Sequence, residues 1–274
     1  MSLPSALSDR AEYATNSMRT LAFLRPVRVL PRYLLAVALL PLPSLHAQQV
    51  EAALATVASG PTLPAVVRAD QLIVIGFMGG NVHADNFIHR EATLAKELQQ
   101  HDPLRLHAAV FANHDGESAL RAVLRMLDAD GDGRLSAAEK SAARIVIYGH
   151  SWGASETVTL ARRLNELHIP VLLTVQVDSV EKSDEDDRDI PPNVHQAINF
   201  YQTRGLIHGR TAIAAMDPQQ TKILGNYQSS YREHPVACDD FPWFARTFMK
   251  AHIEIENDPT VWSKIEDLIR AQMS

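Results

Sequence analysis

Ser151 stands in the run Gly149-His150-Ser151-Trp152-Gly153, directly after the apolar stretch Ile145-Val146-Ile147-Tyr148. A G-x-S-x-G pattern between a strand and a helix holds a serine hydroxyl out of a strained turn. Side chains at the two flanking positions would collide with the neighbouring strand and helix. The helix that follows turns its first amides toward developing negative charge. Such a serine is nucleophilic when an imidazole takes its proton, an acid fixes the imidazole tautomer and two backbone N–H groups receive the oxyanion. A glycine-rich turn without chemistry is the other reading.

Candidates for each partner are present. Trp152, the residue after the serine, offers one oxyanion amide. The other comes from the loop Gly76-Phe77-Met78-Gly79-Gly80, with Phe77 as first choice and Met78 as second, unless that glycine cluster is only a turn. Asp178 closes the apolar run VLLTVQVD, and a carboxylate at the end of a buried strand is costly unless paired or functional. The acids of 181–189, Asp217, Asp239 and Asp240 read instead as loop or turn residues. With the chain order serine, acid, histidine, the base comes from His195, His208, His234 or His252. His252 is preferred, in a loop just before a closing amphipathic helix, from which it can lean over the sheet. His208 and His234 read as turn residues. His150, inside the elbow, packs beside the serine and is not the base.

A second pattern is contiguous and sharper. DADGDGRLSAAE, residues 128–139, fits the twelve-residue EF-hand loop at each diagnostic position. Asp128, Asp130 and Asp132 occupy positions 1, 3 and 5; Gly133 makes the sharp turn; Arg134 offers its carbonyl; Leu135 is the apolar plug. Ser136 stands at position 9, and Glu139 at position 12 can bind bidentately. The expectation is a structural Ca2+ ordering the connection to the elbow strand; an acidic turn that binds nothing is the alternative. Magnesium suits the loop less, because it retains several waters.

The elements that must position these residues alternate. Apolar runs at 71–77, 106–112, 143–149 and 171–178 read as buried strands, with weaker strands at 197–202 and 221–227. Amphipathic stretches at 85–100, 116–127, 154–167 and 259–273 read as helices, and SAAEKSAAR can continue helically after the acidic loop. Uniformly apolar strands separated by helices predict an α/β fold: a mainly parallel sheet of about six strands covered on both faces. Ligands in such sheets sit beyond the carboxyl ends of the strands, where Gly149–Ser151, Gly76–Gly80 and Asp178 all fall.

The bulk numbers set the frame. At 274 residues and 46% apolar content, the chain can bury a full core. Its net charge of −6 and the lack of a basic tract argue against nucleic acid. Between Met18 and Ala47 a basic stretch with Arg19, Arg25, Arg28 and Arg32 precedes the apolar LLAVALLPL and then SLHA, the three-part pattern of a secretory signal. That apolar run is too short for a resident membrane span. The expectation is a signal region at 1–47 with its start at Met18, and one secreted or periplasmic domain at 48–274. Without the signal, 21 basic face 30 acidic residues, a net charge of −9. Cys238, the single cysteine, cannot form an internal disulfide. A monomer is the default expectation.

With Gly76–Gly80, GHSWGAS, VDSV and the terminal histidine in hand, the chain resembles the α/β-hydrolase superfamily, and is especially similar to its secreted lipase-like or thioesterase-like bacterial members. The resemblance spans roughly 65–272, with NFYQ (199–202) and HIEIENDP (252–259) as softer support. It implies Ser151 as nucleophile, His252 as base and Asp178 as acid in an ester or thioester hydrolase acting on a small-molecule or lipid acyl substrate, with no organic cofactor. About six strands make it a reduced version of that fold. Asp178 stands earlier than the commonest acid position, and the calcium loop is an insertion. A calcium-binding protein on a silent hydrolase fold, and a serine peptidase or amidase, are the competing functions.

Overall fold

The computed structural model describes residues 71–183 and 185–274; the expected signal region at 1–47 lies outside them. Six strands form one parallel sheet: β1 (Leu72–Met78), β2 (Leu106–Ala112), β3 (Ile145–His150), β4 (Val171–Val177), β6 (Val194–Tyr201) and β8 (Lys222–Gln228). Two short strands, β5 (Asp189–Ile190) and β7 (Ala214–Ala215), pair separately. Helices α1 (Arg90–His101), α2 (Gly116–Leu127), α3 (Ala137–Ser141), α4 (Trp152–Glu166), α5 (Trp243–Phe248), α6 (Lys250–Glu256) and α7 (Pro259–Ala271) complete the described elements.

Alternation along β1 shows why both faces must be covered. Ile73, Ile75 and Phe77 enter a core with α2 and α4, while Leu72 and Val74 enter a second core with α1 and α7. The second core holds Trp262, 1% exposed and edge-on to Tyr148. Truncating so large a buried side chain typically costs about 3–5 kcal/mol. The expected parallel sheet with helices on both faces is what the chain forms.

Strand order is β2-β1-β3-β4-β6-β8. The chain steps from β1 outward to β2, then returns to place β3 on the other side of β1. That reversal opens a crevice at the carboxyl ends of β1 and β3, where sheets of this kind bind ligands. The glycine loop after β1 and the serine elbow after β3 both lie there.

Three local expectations are corrected. The helix expected from residue 85 begins at Arg90, because Asn86 Oδ1 accepts from Ile88 N (3.2 Å) and folds the preceding segment into turns. The helix after the acidic loop stops at Ser141, since Ala143 is already buried in the core ahead of β3. His252 is not in a loop: it sits within α6, 2% exposed.

Candidate active site

Ser151 joins β3 to α4 with φ 57° and ψ −125°, a backbone state disfavoured for a residue with a side chain. Contacts on both sides hold it there. Ser151 N donates to Val177 O (3.0 Å), and Val180 N donates to Ser151 O (3.2 Å). The two flanking glycines are sterically required. A Cβ on Gly149 would stand 2.4 Å from Gly153 O, and one on Gly153 would stand 2.2 Å from Phe77 O.

Asp178 follows β4 directly, fully buried and with φ 44°. Its Oδ1 accepts from Gly209 N (2.7 Å) and Gln202 N (3.1 Å), and its Oδ2 accepts from Gln202 Nε2 (2.8 Å). The same Oδ2 lies 2.6 Å from His252 Nδ1. Four donors thus satisfy a carboxylate that would be costly to bury alone. A proton on His252 Nδ1, held by Asp178, leaves Nε2 as the ring's basic atom. Among the described residues the Ser151 hydroxyl makes no hydrogen bond, so the link between imidazole and hydroxyl is open. Catalytic hydrogen bonds commonly tighten only around substrate. The sequence did not point to Gln202 or Gly209; the NFYQ segment ends on Gln202, but nothing in its pattern says where the amide points.

The expected oxyanion donors converge on the same edge. Trp152 is the first residue of α4, with a half-exposed side chain. Phe77 and Met78 end β1, Phe77 stands opposite Gly149 in the ladder, and the carbonyls of both abut Gly153. Just beyond, the Gly79 amide donates to Glu91 Oε1 (3.1 Å).

Behind the elbow lies a group that sequence reasoning missed. His89, Glu91, His150 and Glu256 meet there, and Glu91 and Glu256 are almost wholly buried. His89 Nδ1 is 2.5 Å from Glu256 Oε1, and His150 Nδ1 is 3.5 Å from Glu256 Oε2 and 4.0 Å from Glu91 Oε1. Burial, then the neighbouring Glu256 charge, pushes the Glu91 carboxyl up to about 8; burial pushes Glu256 up to about 8 as well. Burial first, then the nearby His252 and His89, holds His150 well below the usual imidazole range. The ring centroids of His150 and His252 are 4.4 Å apart, which joins this cluster to the expected base. The available signals were His89-x-Glu91 and the one-turn spacing of His252 and Glu256.

The acidic loop is ordered by its own carboxylates. Asp128 Oδ2 accepts from Gly133 N (2.9 Å), Asp130 Oδ1 from Asp132 N (3.1 Å) and Asp132 Oδ1 from Arg134 N (2.7 Å). Gly131 (φ 71°) and Gly133 (φ 79°) take the left-handed turns. Glu139 closes the loop: Oε1 accepts from Ala129 N (2.7 Å) and Oε2 from Ser136 N (2.8 Å), and these bonds hold its carboxyl below the usual range. Oxygens of Asp128, Asp130 and Glu139 lie within 4.8 Å of one another, and Asp128 Oδ1 is buried without a partner. An all-oxygen donor set with an orphaned carboxylate oxygen fits a hard cation. Leu135 packs against the core.

No family model matches the chain, and no curated protein does. Among solved structures, the chain is similar to a YdeN-like hydrolase from Pectobacterium atrosepticum, with 12% identity, 75% of this chain and 95% of that one covered, and a TM-score of 0.37. It is also similar to RedJ, with 13% identity, coverages of 72% and 98%, and a TM-score of 0.33. A third is XC6422 from Xanthomonas campestris, described as an α/β serine hydrolase without a lid, with 12% identity, coverages of 62% and 75%, and a TM-score of 0.29.

Proposed function

We propose that the protein is a serine hydrolase of the α/β-hydrolase type that cleaves carboxylic ester or thioester bonds. The observation that carries this reading is the 2.6 Å contact of His252 Nδ1 with Asp178 Oδ2, at the strand edge where Ser151 is held in its strained turn. His252 Nε2 takes the Ser151 proton as the serine oxygen attacks the acyl carbonyl. Asp178 keeps the ring in the required tautomer and stabilises the imidazolium that forms. The amides of Trp152 and of Phe77 or Met78 receive the oxyanion. His252 then returns the proton to the leaving alcohol or thiol, and water repeats the sequence to free the acid.

An apolar acyl group suits the surroundings. Trp152 is half-exposed, and α5, which leads into the helix carrying His252, exposes Trp243, Phe244 and Phe248. The acidic loop would hold Ca2+ through Asp128, Asp130, Asp132, the Arg134 carbonyl and Glu139, as a structural ion ordering the approach to β3. Extracytoplasmic calcium would fill such a site in a secreted or periplasmic chain.

The test is labelling by a fluorophosphonate probe, which reacts with an activated serine. The wild type is expected to label, and Ser151→Ala, with unchanged circular dichroism, is expected not to. An unlabelled wild type, or a labelled Ser151→Ala, overturns the assignment. Panels of acyl esters, thioesters and amides then rank the leaving groups.

A further inference from the structure

Two ligand types, imidazole nitrogens and carboxylate oxygens, converge in the buried group behind the elbow. His150 Nε2 is 3.2 Å from the His252 carbonyl oxygen. A carbonyl only accepts, so Nε2 carries a proton and donates to it. His150 Nδ1 on the other side of the ring faces Glu256 Oε2 at 3.5 Å and Glu91 Oε1 at 4.0 Å. Glu91 adds a further acceptor: its Oε2 is buried and no N–H or hydroxyl donor among the described residues reaches it, the Glu256 carboxyl being its neighbour. Among the described residues, imidazoles are the only ion-pair partners of Glu91 and Glu256; no Lys or Arg reaches them. Carboxyl and imidazole groups buried this closely need a cation or shared protons among them to be stable.

We infer that His89, Glu91, His150 and Glu256 form a binding site for a divalent transition-metal cation of the zinc class. Ligand atoms of His89, Glu91 and Glu256 already lie within 4.8 Å of one another. Tetrahedral Zn2+ with bonds near 2.0–2.1 Å sets its ligands about 3.4 Å apart; His150 Nδ1 and Glu256 Oε2 already stand at 3.5 Å, while His89 Nδ1 and Glu256 Oε1, hydrogen-bonded at 2.5 Å, spread by about 1 Å to admit the ion. Two imidazoles with two carboxylates favour zinc over calcium or magnesium, which take all-oxygen sets. Two carboxylates also neutralise the ion, so a buried site carries no net charge. The outer contacts match those of metal-bound residues. The far nitrogen of His150 donates to a backbone carbonyl, and Glu91 Oε1 is oriented by the Gly79 amide.

The position assigns the ion a role. Glu256 stands one turn beyond His252 on α6, Glu91 lies in the first turn of α1, and His150 precedes Ser151. A metal shared among them fastens the helix carrying His252 to the serine elbow and the loop after β1. Binding itself does not depend on Ser151 being reactive, so this inference and the hydrolase reading fail separately.

The experiment strips the full chain with a chelator and titrates Zn2+ by calorimetry, with bound zinc counted by elemental analysis. One Zn2+ per chain is expected, with a rise in Tm, in the wild type and in Ser151→Ala. Glu91→Gln and His89→Ala are each expected to weaken Zn2+ affinity by about 100-fold or more, since loss of even an outer-shell partner costs about 10–100-fold. Glu139→Gln, in the separate acidic loop, is expected to bind Zn2+ as the wild type does. The part-exposed His89 side chain makes His89→Ala the safer fold, so a misfolded Glu91→Gln leaves the test intact. A folded wild type that takes up no Zn2+, or a folded His89→Ala that binds as tightly as wild type, overturns the inference; the carboxyl pair then shares a proton instead.

Discussion

Gly209 and Asp178 are packed backbone against backbone: Gly209 N donates to Asp178 Oδ1 at 2.7 Å, and a Cβ on Gly209 would lie 2.5 Å from Asp178 Cα. The long loop between β6 and β8 therefore sets where the carboxylate points. Gly209→Ala must push the loop away or twist Asp178, and a twisted Asp178 no longer holds His252 Nδ1 at 2.6 Å. The expected outcome is a loss of about 1–3 kcal/mol of stability, as for other overpacked sites. In a chain of this size that is roughly 2–4 °C in Tm per kcal/mol. Fluorophosphonate labelling should slow by at least about tenfold, toward the rate of Asp178→Asn. Thermal melts and labelling time courses check it; wild-type labelling in Gly209→Ala would show that the loop does not orient the acid.

The acidic loop predicts a calcium-dependent melting curve. Ligand that binds only the folded chain stabilises it by about 2.7 kcal/mol at 100 times Kd. Adding Ca2+ to chelator-treated protein should raise Tm by several degrees, and Glu139→Gln, which removes the closing carboxylate, should abolish that rise. Scanning calorimetry with and without Ca2+ measures both. Identical curves for the wild type would rule out the structural ion.

His107, in β2, gives a pH prediction. Its Nε2 is buried without a partner, and burial lowers its pKa from 6.5. Below 6.5 the unfolded chain binds a proton that the folded chain does not, so stability rises with pH up to that point. As pH falls from 6.5 through the lowered folded value, this contribution is lost. His107→Phe removes the titration while keeping an aromatic of similar reach. Urea unfolding between pH 5 and 8 should show a shallower acid-side loss in the variant than in the wild type, and parallel curves would refute the assignment.

Much of this molecule is readable as local pattern. β2 (106–112) and α2 (116–127) follow from strand and helix periodicity alone, because each buries one continuous run or one stripe. The serine elbow and the acidic loop are contiguous, so residue type and spacing carry their geometry. The steric need for Gly149 and Gly153 was likewise inherent in the motif. Two strands with mixed composition, β6 and β8, were legible only in part: β6 begins at Val194, earlier than its apolar stretch, and the pair carries a register shift at Ala197 and Ile198.

What the tertiary structure alone decided is which distant side chains face one another. KAHIEIE does not read as a helix, being seven residues with two β-branched isoleucines, yet it forms α6 because Ile253 and Ile255 are buried against different core clusters. That winding places His252 against Asp178 and Glu256 against His89 and His150. Gln202 and Gly209 reach Asp178 for the same reason, through the course of a loop whose own residues say little about it. Periodicity reports which face of an element is buried; it carries no information on the rotation and sliding of one packed element against another, and the cluster behind Ser151 depends on both.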